Sequence, residues 1–414
     1  MDKNRPPPKT APLAVDAAVF PHPVTGTMKL PTFLLTLALG TTAAFPQAAT
    51  QASRNESLKQ ELRLGAERGL NFLRSKQNQE TGQWGEAEPV AITGLGIISF
   101  MLDPNRKPGD PVPAEVEKAT KFLISNAKPD GGIYIKARGN YNTALALTAL
   151  LLNNKPENEQ VMLKARRYLV GNQLDADEKG KQDNPLDGGI GYGDEKGLHA
   201  DLSNMTFALE ALYYSQALLA DKGDAAKNEP QLNVGAAIDF IQRCQNRPES
   251  NKSAWVSKDP DDAGGFIYNP TETRGAKVEN PDGSIALRSY GSISYAGLLS
   301  FIYAGLGKDD PRVKAVIEWL QNHYNADENP GLGAAGLYYY YQTMSKALSI
   351  AKIDYIKTKD GKLIDWRKDI SQKLLGLQKG DGSWSNSEGR WMESDPVLTT
   401  TYILMALGRI HQTL

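Results

Sequence analysis

The chain of 414 residues carries 47 basic and 48 acidic side chains, so its net charge is close to zero. This length allows a large buried core, and the balanced charge argues against nucleic acid as a partner. A single cysteine, Cys244, excludes an internal disulfide framework and a metal site built from several cysteines. The four histidines are scattered along the sequence, so we expect no metal site and no other cofactor.

The first 50 residues predict a targeting segment. Residues 1–27 are rich in proline and small residues and are interpreted as a disordered or wrongly assigned extension. From Met28 onward, a basic Lys29 is followed by an apolar run over residues 30–39 and by small residues up to Ala49. This layout is typical of a secretory signal, and the run is shorter than the ~20 residues that span a bilayer. We therefore expect residues 28–50 to be a signal peptide and the mature protein to be periplasmic or extracellular, without a membrane span.

From residue 57 onward, one sequence unit recurs. Its first helix carries an aromatic and an aliphatic residue, followed in most copies by a glutamine, as in Phe72, Leu73 and Gln77. The apolar residues before this pair fall at the spacing of a helix that buries one face. The corresponding anchor residues are Phe72, Phe122, Tyr168, Phe240, Trp319 and Leu374.

Each first helix is followed by a turn rich in Gly and Asp, and then by a second helix. Glycine supplies the positive φ that ends a helix and reverses the chain. The second helices are apolar nearly all round, and Asp201 and Asp395 occupy positions where an acidic side chain caps a helix N-terminus. These helices are predicted over residues 92–101, 142–152, 202–217, 292–304, 334–350 and 397–407.

The six copies lie about 50 residues apart, with longer spacings in the third and fourth, and this period indicates a helical repeat array. No linker divides residues 57–414, so we expect one domain. The more apolar second helices suit an inner ring and the first helices an outer ring. We favour an all-α, closed (α/α)6 toroid of six helix pairs, because closure removes the need for polar capping repeats. Polar insertions at 175–187 and 247–287 predict a binding rim.

Two of the turns resemble the QW motif of squalene and oxidosqualene cyclases. They are residues 77–84, from Gln77 to Trp84, and residues 378–384, from Gln378 to Trp384. The Asp-Gly-Gly turns that precede Thr-Ala-Leu helices are also similar to the repeats of protein prenyltransferase β subunits. The resemblance covers about residues 57–414 and implies an α/α toroid whose central cavity binds an apolar, isoprenoid-like ligand. It does not by itself imply catalysis, because repeats form a scaffold.

The resemblance also suggests catalytic residues. Class II terpenoid cyclases use an Asp-x-Asp-Asp motif whose middle aspartate protonates the substrate alkene, and residues 259–262 match it, with Asp261 as donor and Asp262 beside it. Such an acid must be kept protonated by burial and neighbouring carboxylates. In the family the motif leads directly into an inner helix, whereas here Ala-Gly-Gly-Phe follows, so a solvated acidic turn is the alternative. The zinc of protein prenyltransferases needs a cysteine ligand, but Cys244 is predicted on an outer helix as a buried thiol.

Other candidates come from the starts of the inner helices, which we expect to converge at one mouth of the ring. His199 with Asp201 is the best available general acid/base pair, and Asp395 is a further candidate acid. Aromatic side chains there suit stacking on a sugar or stabilisation of a cation, although packing and capping explain them equally well. The candidate ligand-binding residues are Tyr141, Asn142, Asn204, Arg288, Tyr290, Tyr295, Tyr338 with its neighbours 339–341, and Trp391 with Glu393.

Three functions remain open at this point. The first is an exported toroid that binds an isoprenoid-like ligand, and the second is an active class II terpenoid cyclase or prenyltransferase relative. The third is a polysaccharide-active (α/α)6 enzyme with a glycan ligand, or a protein-interaction scaffold. A cyclase needs a deep, dry, aromatic cavity with one protonated acid, whereas a glycan-cleaving enzyme needs an open cleft with two carboxylates roughly 5–10 Å apart.

Overall fold

The computed structural model describes residues 45–193, 198–220, 222–279 and 283–414. Most of the predicted signal peptide therefore lies outside the described residues, and its last six residues belong to the first helix. The helices are α1 (Phe45–Lys76), α2 (Pro89–Met101), α3 (Ala114–Ser125), α4 (Gly139–Asn153), α5 (Glu159–Gly171), α6 (Leu202–Ser215), α7 (Asp224–Lys227), α8 (Val234–Arg243), α9 (Gly291–Tyr303), α10 (Pro311–Asn322), α11 (Leu337–Ile350), α12 (Trp366–Gly376) and α13 (Pro396–Thr413).

Two antiparallel hairpins complete the described secondary structure. One pairs β1 (Lys277–Glu279) with β2 (Ile285–Leu287), and the other pairs β3 (Ile356–Lys357) with β4 (Leu363–Ile364). Both hairpins are short and lie between helices, so the core is formed mainly by helices, with Trp84, Phe266 and Trp384 added from the turns. Among the described helices, none is both long enough and apolar enough to cross a membrane.

The inner helices form a closed ring. Helix α2 packs against α4, α4 against α6, α6 against α9, α9 against α11, α11 against α13, and α13 packs back against α2. These helices are buried along almost their whole length, as in α4 and α9. Because the series of contacts returns to its start, the predicted all-α toroid is confirmed.

The outer helices bury only one face. In α3, for example, Val116, Ala119 and Leu123 are buried, whereas Lys118 and Lys121 are exposed. Helix α3 packs on α2, α5 on α4 and α6, α10 on α9, and α12 on α13 and α1. The amphipathic pattern of the first helices therefore places them outside the ring, where one side meets solvent. Cys244 lies buried at the C-terminal end of α8.

A glutamine after several outer helices joins neighbouring units. The Gln77 side-chain nitrogen donates to the carbonyl oxygen of Gly82 in its own turn and to that of Glu115 in α3, both at 2.9 Å. In the last unit, the Gln378 side-chain nitrogen donates in the same way to Gly382 and to Gly65 in α1, again at 2.9 Å. The last outer turn is therefore hydrogen-bonded to the first outer helix, and this contact closes the outer layer.

Candidate functional site

A cavity of about 820 Å³ lies where the N-terminal parts of the inner helices meet. Its lining comes from the first two turns of the inner helices α2, α4, α6, α9, α11 and α13 and from the loops that precede them. This volume falls within the range of small-molecule sites in proteins. The mouth predicted from the inner-helix starts thus coincides with a cavity large enough for an organic ligand.

Four aromatic side chains from four inner helices form one cluster along this cavity, and we call Tyr141, Phe207, Tyr339 and Tyr402 the aromatic cluster. The ring centroids of Tyr141 and Phe207 lie 5.6 Å apart, those of Phe207 and Tyr339 6.2 Å, and those of Tyr339 and Tyr402 6.0 Å. The Tyr141 and Tyr402 side chains also interact with each other, so the first and last rings of the cluster are neighbours. Burial raises the pKa of Tyr339 to about 12, so its hydroxyl group stays neutral at physiological pH.

His199 and Asp201 form a hydrogen-bonded pair at the edge of the cavity. Asp201 is fully buried and caps α6, because one of its oxygens accepts from the Asn204 backbone N–H at 2.9 Å. Its other oxygen contacts His199 Nε2 at 2.9 Å and accepts from Asn204 Nδ2 at 2.6 Å. The hydrogen bond to Asp201 raises the pKa of His199, and 40% of the His199 side chain remains accessible. The His199 imidazole therefore faces the cavity and is readily protonated.

His199 stands in the middle of a stack that we call the stacked wall, made of Arg138, Tyr192, His199, Tyr268 and Arg274. The rings of Tyr192 and His199 are stacked at 5.7 Å, and His199 lies 6.1 Å from the Tyr268 ring. Guanidinium groups cover both ends, with Arg138 5.4 Å from the Tyr192 ring and Arg274 4.2 Å from the Tyr268 ring. Each of these basic groups is paired with a carboxylate, Arg138 with Glu88, His199 with Asp201 and Arg274 with Glu272, so the wall gives one side of the cavity a polar character that the aromatic cluster lacks.

The segment before α13 closes another side of the cavity. Glu393 is 1% exposed and accepts hydrogen bonds from the backbone N–H groups of Tyr338 and Tyr339 and from Asn386 Nδ2. Burial raises the pKa of Glu393, while these hydrogen bonds act in the opposite direction. Trp391 and Met392 both have left-handed backbone conformations and line the cavity. Glu393 thus attaches this segment to the N-terminus of α11.

The structure brings only some of the predicted residues to the cavity. Six of them line it, namely Tyr141, His199, Tyr290, Tyr339, Trp391 and Glu393, and Asp201 lies directly behind His199.

The other predicted ligand-binding residues have structural contacts. Asn142 accepts a hydrogen bond from the Ala91 backbone N–H at the start of α2, and Asn204 is bound to Asp201. Tyr295 is buried in the core, where its ring packs against Tyr340 at 5.7 Å, and the Tyr338 hydroxyl donates to the Ser385 carbonyl.

The acidic motif does not face the cavity. Asp261 is exposed and lies 3.1 Å from Lys359. Asp262 is buried, but it pairs with Arg288 at 2.8 Å and accepts from the Ser289 backbone N–H. The structure therefore does not provide a buried, unpaired acid at 259–262. Asp395 caps α13 by accepting from the Val397 backbone N–H at 2.8 Å, and it does not line the cavity.

Sequence reasoning missed several cavity residues. Phe207 and Tyr402 lie on helices that are apolar all round, so no pattern indicated which face turns towards the ring centre. Tyr192, Tyr268 and Arg274 lie in loops without a helical period. The nearby Gly-rich turns are the only sequence signal that could have indicated them. Within the described part of the chain, no group of three His, Cys, Asp or Glu side chains is arranged to hold a metal ion.

The sequence matches no family model and no curated protein. Solved structures do match the fold. A variant of the type II terpene cyclase MstE from Scytonema, in complex with geranylgeranyl dihydroxybenzoate, aligns with a TM-score of 0.51 at 13% identity, over 87% of this chain and 100% of that chain. A second MstE variant, without ligand, gives a TM-score of 0.51 at 13% identity over 87% and 99% of the two chains. The chain has a terpenoid cyclase-like fold.

The link between His199 and Asp201 predicts a specific pH dependence. The pKa of His199 is higher in the folded state than in the unfolded state, where it is about 6.5. Protonated His199 therefore stabilises the folded protein fully below about pH 6.5, and this stabilisation is lost as the pH rises through the folded-state pKa. Asp201→Asn removes the charge and should lower the pKa of His199, measured by an NMR titration of the imidazole. His411, whose pKa is lowered by burial, is the internal control and should not change. An unaltered His199 titration would contradict this assignment.

Proposed function

We propose that this terpenoid cyclase-like protein binds an apolar, isoprenoid-like ligand in the cavity of its ring. The observation that carries the proposal is the aromatic cluster, in which four rings from four inner helices face one chamber. An apolar chain gains free energy by leaving water for such a surface, and the ring faces also stabilise positive charge. The MstE structures with a geranylgeranyl ligand show that a ring of this fold accommodates a chain of that kind.

The cavity also has two chemically different sides. The aromatic cluster is apolar apart from neutral hydroxyl groups, whereas the stacked wall carries two guanidinium groups and His199. A ligand with an apolar chain and a polar end fits both sides at once. We therefore place the chain against the aromatic cluster and the polar end towards His199.

A calorimetric titration with geranylgeraniol tests this proposal. Phe207→Ala removes one ring of the aromatic cluster and should weaken binding by about ten- to hundredfold, since burying a Phe side chain is worth about 1.5–3 kcal/mol. Phe72→Ala is the matched control, because Phe72 is equally buried but lies on the outer helix α1. Absence of binding by the wild type, or equal losses in both variants, would refute the proposal.

The second candidate function is catalysis of a proton transfer in the same cavity. It is favoured by one observation, the exposed imidazole of His199 held by the buried Asp201. An imidazolium is a weak acid for an unactivated alkene, so a polar group on the ligand is the more suitable proton acceptor. After incubation with geranylgeraniol, a new isomer of the same mass that is resolved by gas chromatography and detected by mass spectrometry would support catalysis, and its absence would contradict it.

A glycan-cleaving function has less support from the carboxylates. Glu88 and Glu393 both line the cavity. Glu88 is paired with Arg138 at 2.8 Å, and both oxygens of Glu393 accept hydrogen bonds. Neither carboxylate is therefore available as an unpaired nucleophile or base.

We also propose that the protein is exported. It rests on Lys29 and the apolar run over residues 30–39, which precede the described part of the chain. Sequencing the N-terminus of the mature protein from its host tests it, because a start between Ala43 and Ala52 would support signal cleavage, whereas a start at Met1 or Met28 would exclude it.

A further inference from the structure

Three charged side chains meet inside the ring, beyond the cavity. Glu210 of α6, Lys346 of α11 and Arg409 of α13 are 3%, 3% and 5% exposed. Lys346 Nζ lies 2.6 Å from one oxygen of Glu210, and Arg409 Nη2 lies 3.8 Å from the other. Because α6 and α13 stand on opposite sides of the inner ring, this group bridges the ring interior. We call these three residues the interior ion group.

The interior ion group contains one anion and two cations. Arginine keeps its proton in proteins, so Arg409 is charged. The titratable neighbours are Tyr214 and Tyr303, and burial raises the pKa of both, to about 12 for Tyr214, so they supply no negative charge. With Lys346 protonated, the group therefore carries one uncompensated positive charge in a buried place. Leaving such a charge without a partner costs several kcal/mol.

Buried hydrogen-bond donors around the group also lack a partner. Gln342 and Ser349 occupy the same face of α11 as Lys346, since they lie four residues before it and three after it along the helix. Among the described residues, no acceptor is found for Gln342 Nε2, Ser349 Oγ or Arg409 Nε. Buried polar groups in folded proteins are nearly always hydrogen-bonded, so these donors indicate a missing acceptor.

We propose that the ring interior binds a small monovalent anion, a halide, next to Lys346 and Arg409. A single negative charge compensates the excess positive charge of the interior ion group. A halide accepts hydrogen bonds from any direction, which suits donors that come from two different helices, α11 and α13. Its small size also suits a closely packed interior, where a phosphate or carboxylate would displace the helices.

Loss of the Lys346 proton is the competing way to remove the excess charge. Burial lowers the pKa of Lys346, and Glu210 opposes this effect. A neutral Lys346 needs no anion, and ordered water would then satisfy the donors. The two arrangements differ in one measurable property. A bound halide makes the stability depend on which anion is present at constant ionic strength, whereas a neutral Lys346 does not.

The full-length protein in sodium gluconate provides the test. Replacing gluconate by chloride or bromide at constant ionic strength should raise the thermal midpoint by a few degrees and reach saturation, because the halide binds only the folded state. Lys346→Met leaves Glu210 with Arg409 as a neutral pair, so this variant should lose the halide dependence. Lys314→Met, at an exposed lysine outside the ring, should retain it.

A direct measurement covers the case in which Lys346→Met does not fold. Broadening of the chloride NMR signal by the wild-type protein, reversed by added bromide, would support a halide site. A thermal midpoint that does not respond to halide, an equal response in the wild type and Lys346→Met, or an unbroadened chloride signal would each overturn the proposal.

Discussion

Gly382→Ala is expected to lower the free energy of unfolding by about 3 kcal/mol. Gly382 has a φ of +87°, a conformation that costs an alanine about 1–2 kcal/mol. A Cβ atom at this position would also lie 2.4 Å from the carbonyl oxygen of Arg68 in α1. The last outer turn would therefore be displaced from the first outer helix, and the Gln378 hydrogen bonds that close the outer layer would be weakened. Chemical denaturation measures the loss.

Gly380→Ala is the matched control two residues earlier in the same turn. An added Cβ at Gly380 meets no atom within 4 Å, and its backbone is not in the left-handed region. This variant should change stability by less than about 0.5 kcal/mol. Equal losses in the two variants would show that the contact between Gly382 and α1 does not hold the ring closed.

The fold could be predicted from the sequence because its repeated features act locally. Apolar spacing and Gly-rich turns located the inner helices to within a few residues. For α2, the predicted range was 92–101 and the helix in the structure is Pro89–Met101. The starts were less accurate where no side chain caps the helix. The inner helix predicted from 334 begins at Leu337, because Gly336 has a left-handed conformation that a helix cannot include. Helix α4 begins at Gly139, after a left-handed Arg138.

The site was harder to predict because it depends on contacts between distant residues. Tyr290 and Tyr295 are five residues apart and look alike in the sequence, yet one lines the cavity and the other is buried against Tyr340. Nothing in the sequence of the acidic motif indicated that Arg288, 26 residues after Asp262, would form an ion pair with Asp262. By contrast, His199 and Asp201 could be predicted, since an acid that caps a helix lies close to the residue two positions before it.

Glu393→Ala is expected to lower the free energy of unfolding by about 2–4 kcal/mol, since it removes a buried carboxylate that accepts several hydrogen bonds. The backbone N–H groups of Tyr338 and Tyr339 at the start of α11 would lose their acceptor, and Asn386 would lose a partner. The segment with Trp391 would no longer be attached to α11. Because Tyr339 belongs to the aromatic cluster, the affinity for geranylgeraniol should fall together with stability.

Glu388→Ala separates this role from a general effect of removing an acid from the same segment. Glu388 is exposed, and its side chain accepts a hydrogen bond from the Arg390 backbone N–H at 3.1 Å, so its loss should cost less than about 0.5 kcal/mol and leave affinity unchanged. A Glu393→Ala protein that is destabilised but binds geranylgeraniol normally would show that the segment is not part of the binding site. Wild-type stability in that variant would instead show that the start of α11 does not depend on Glu393.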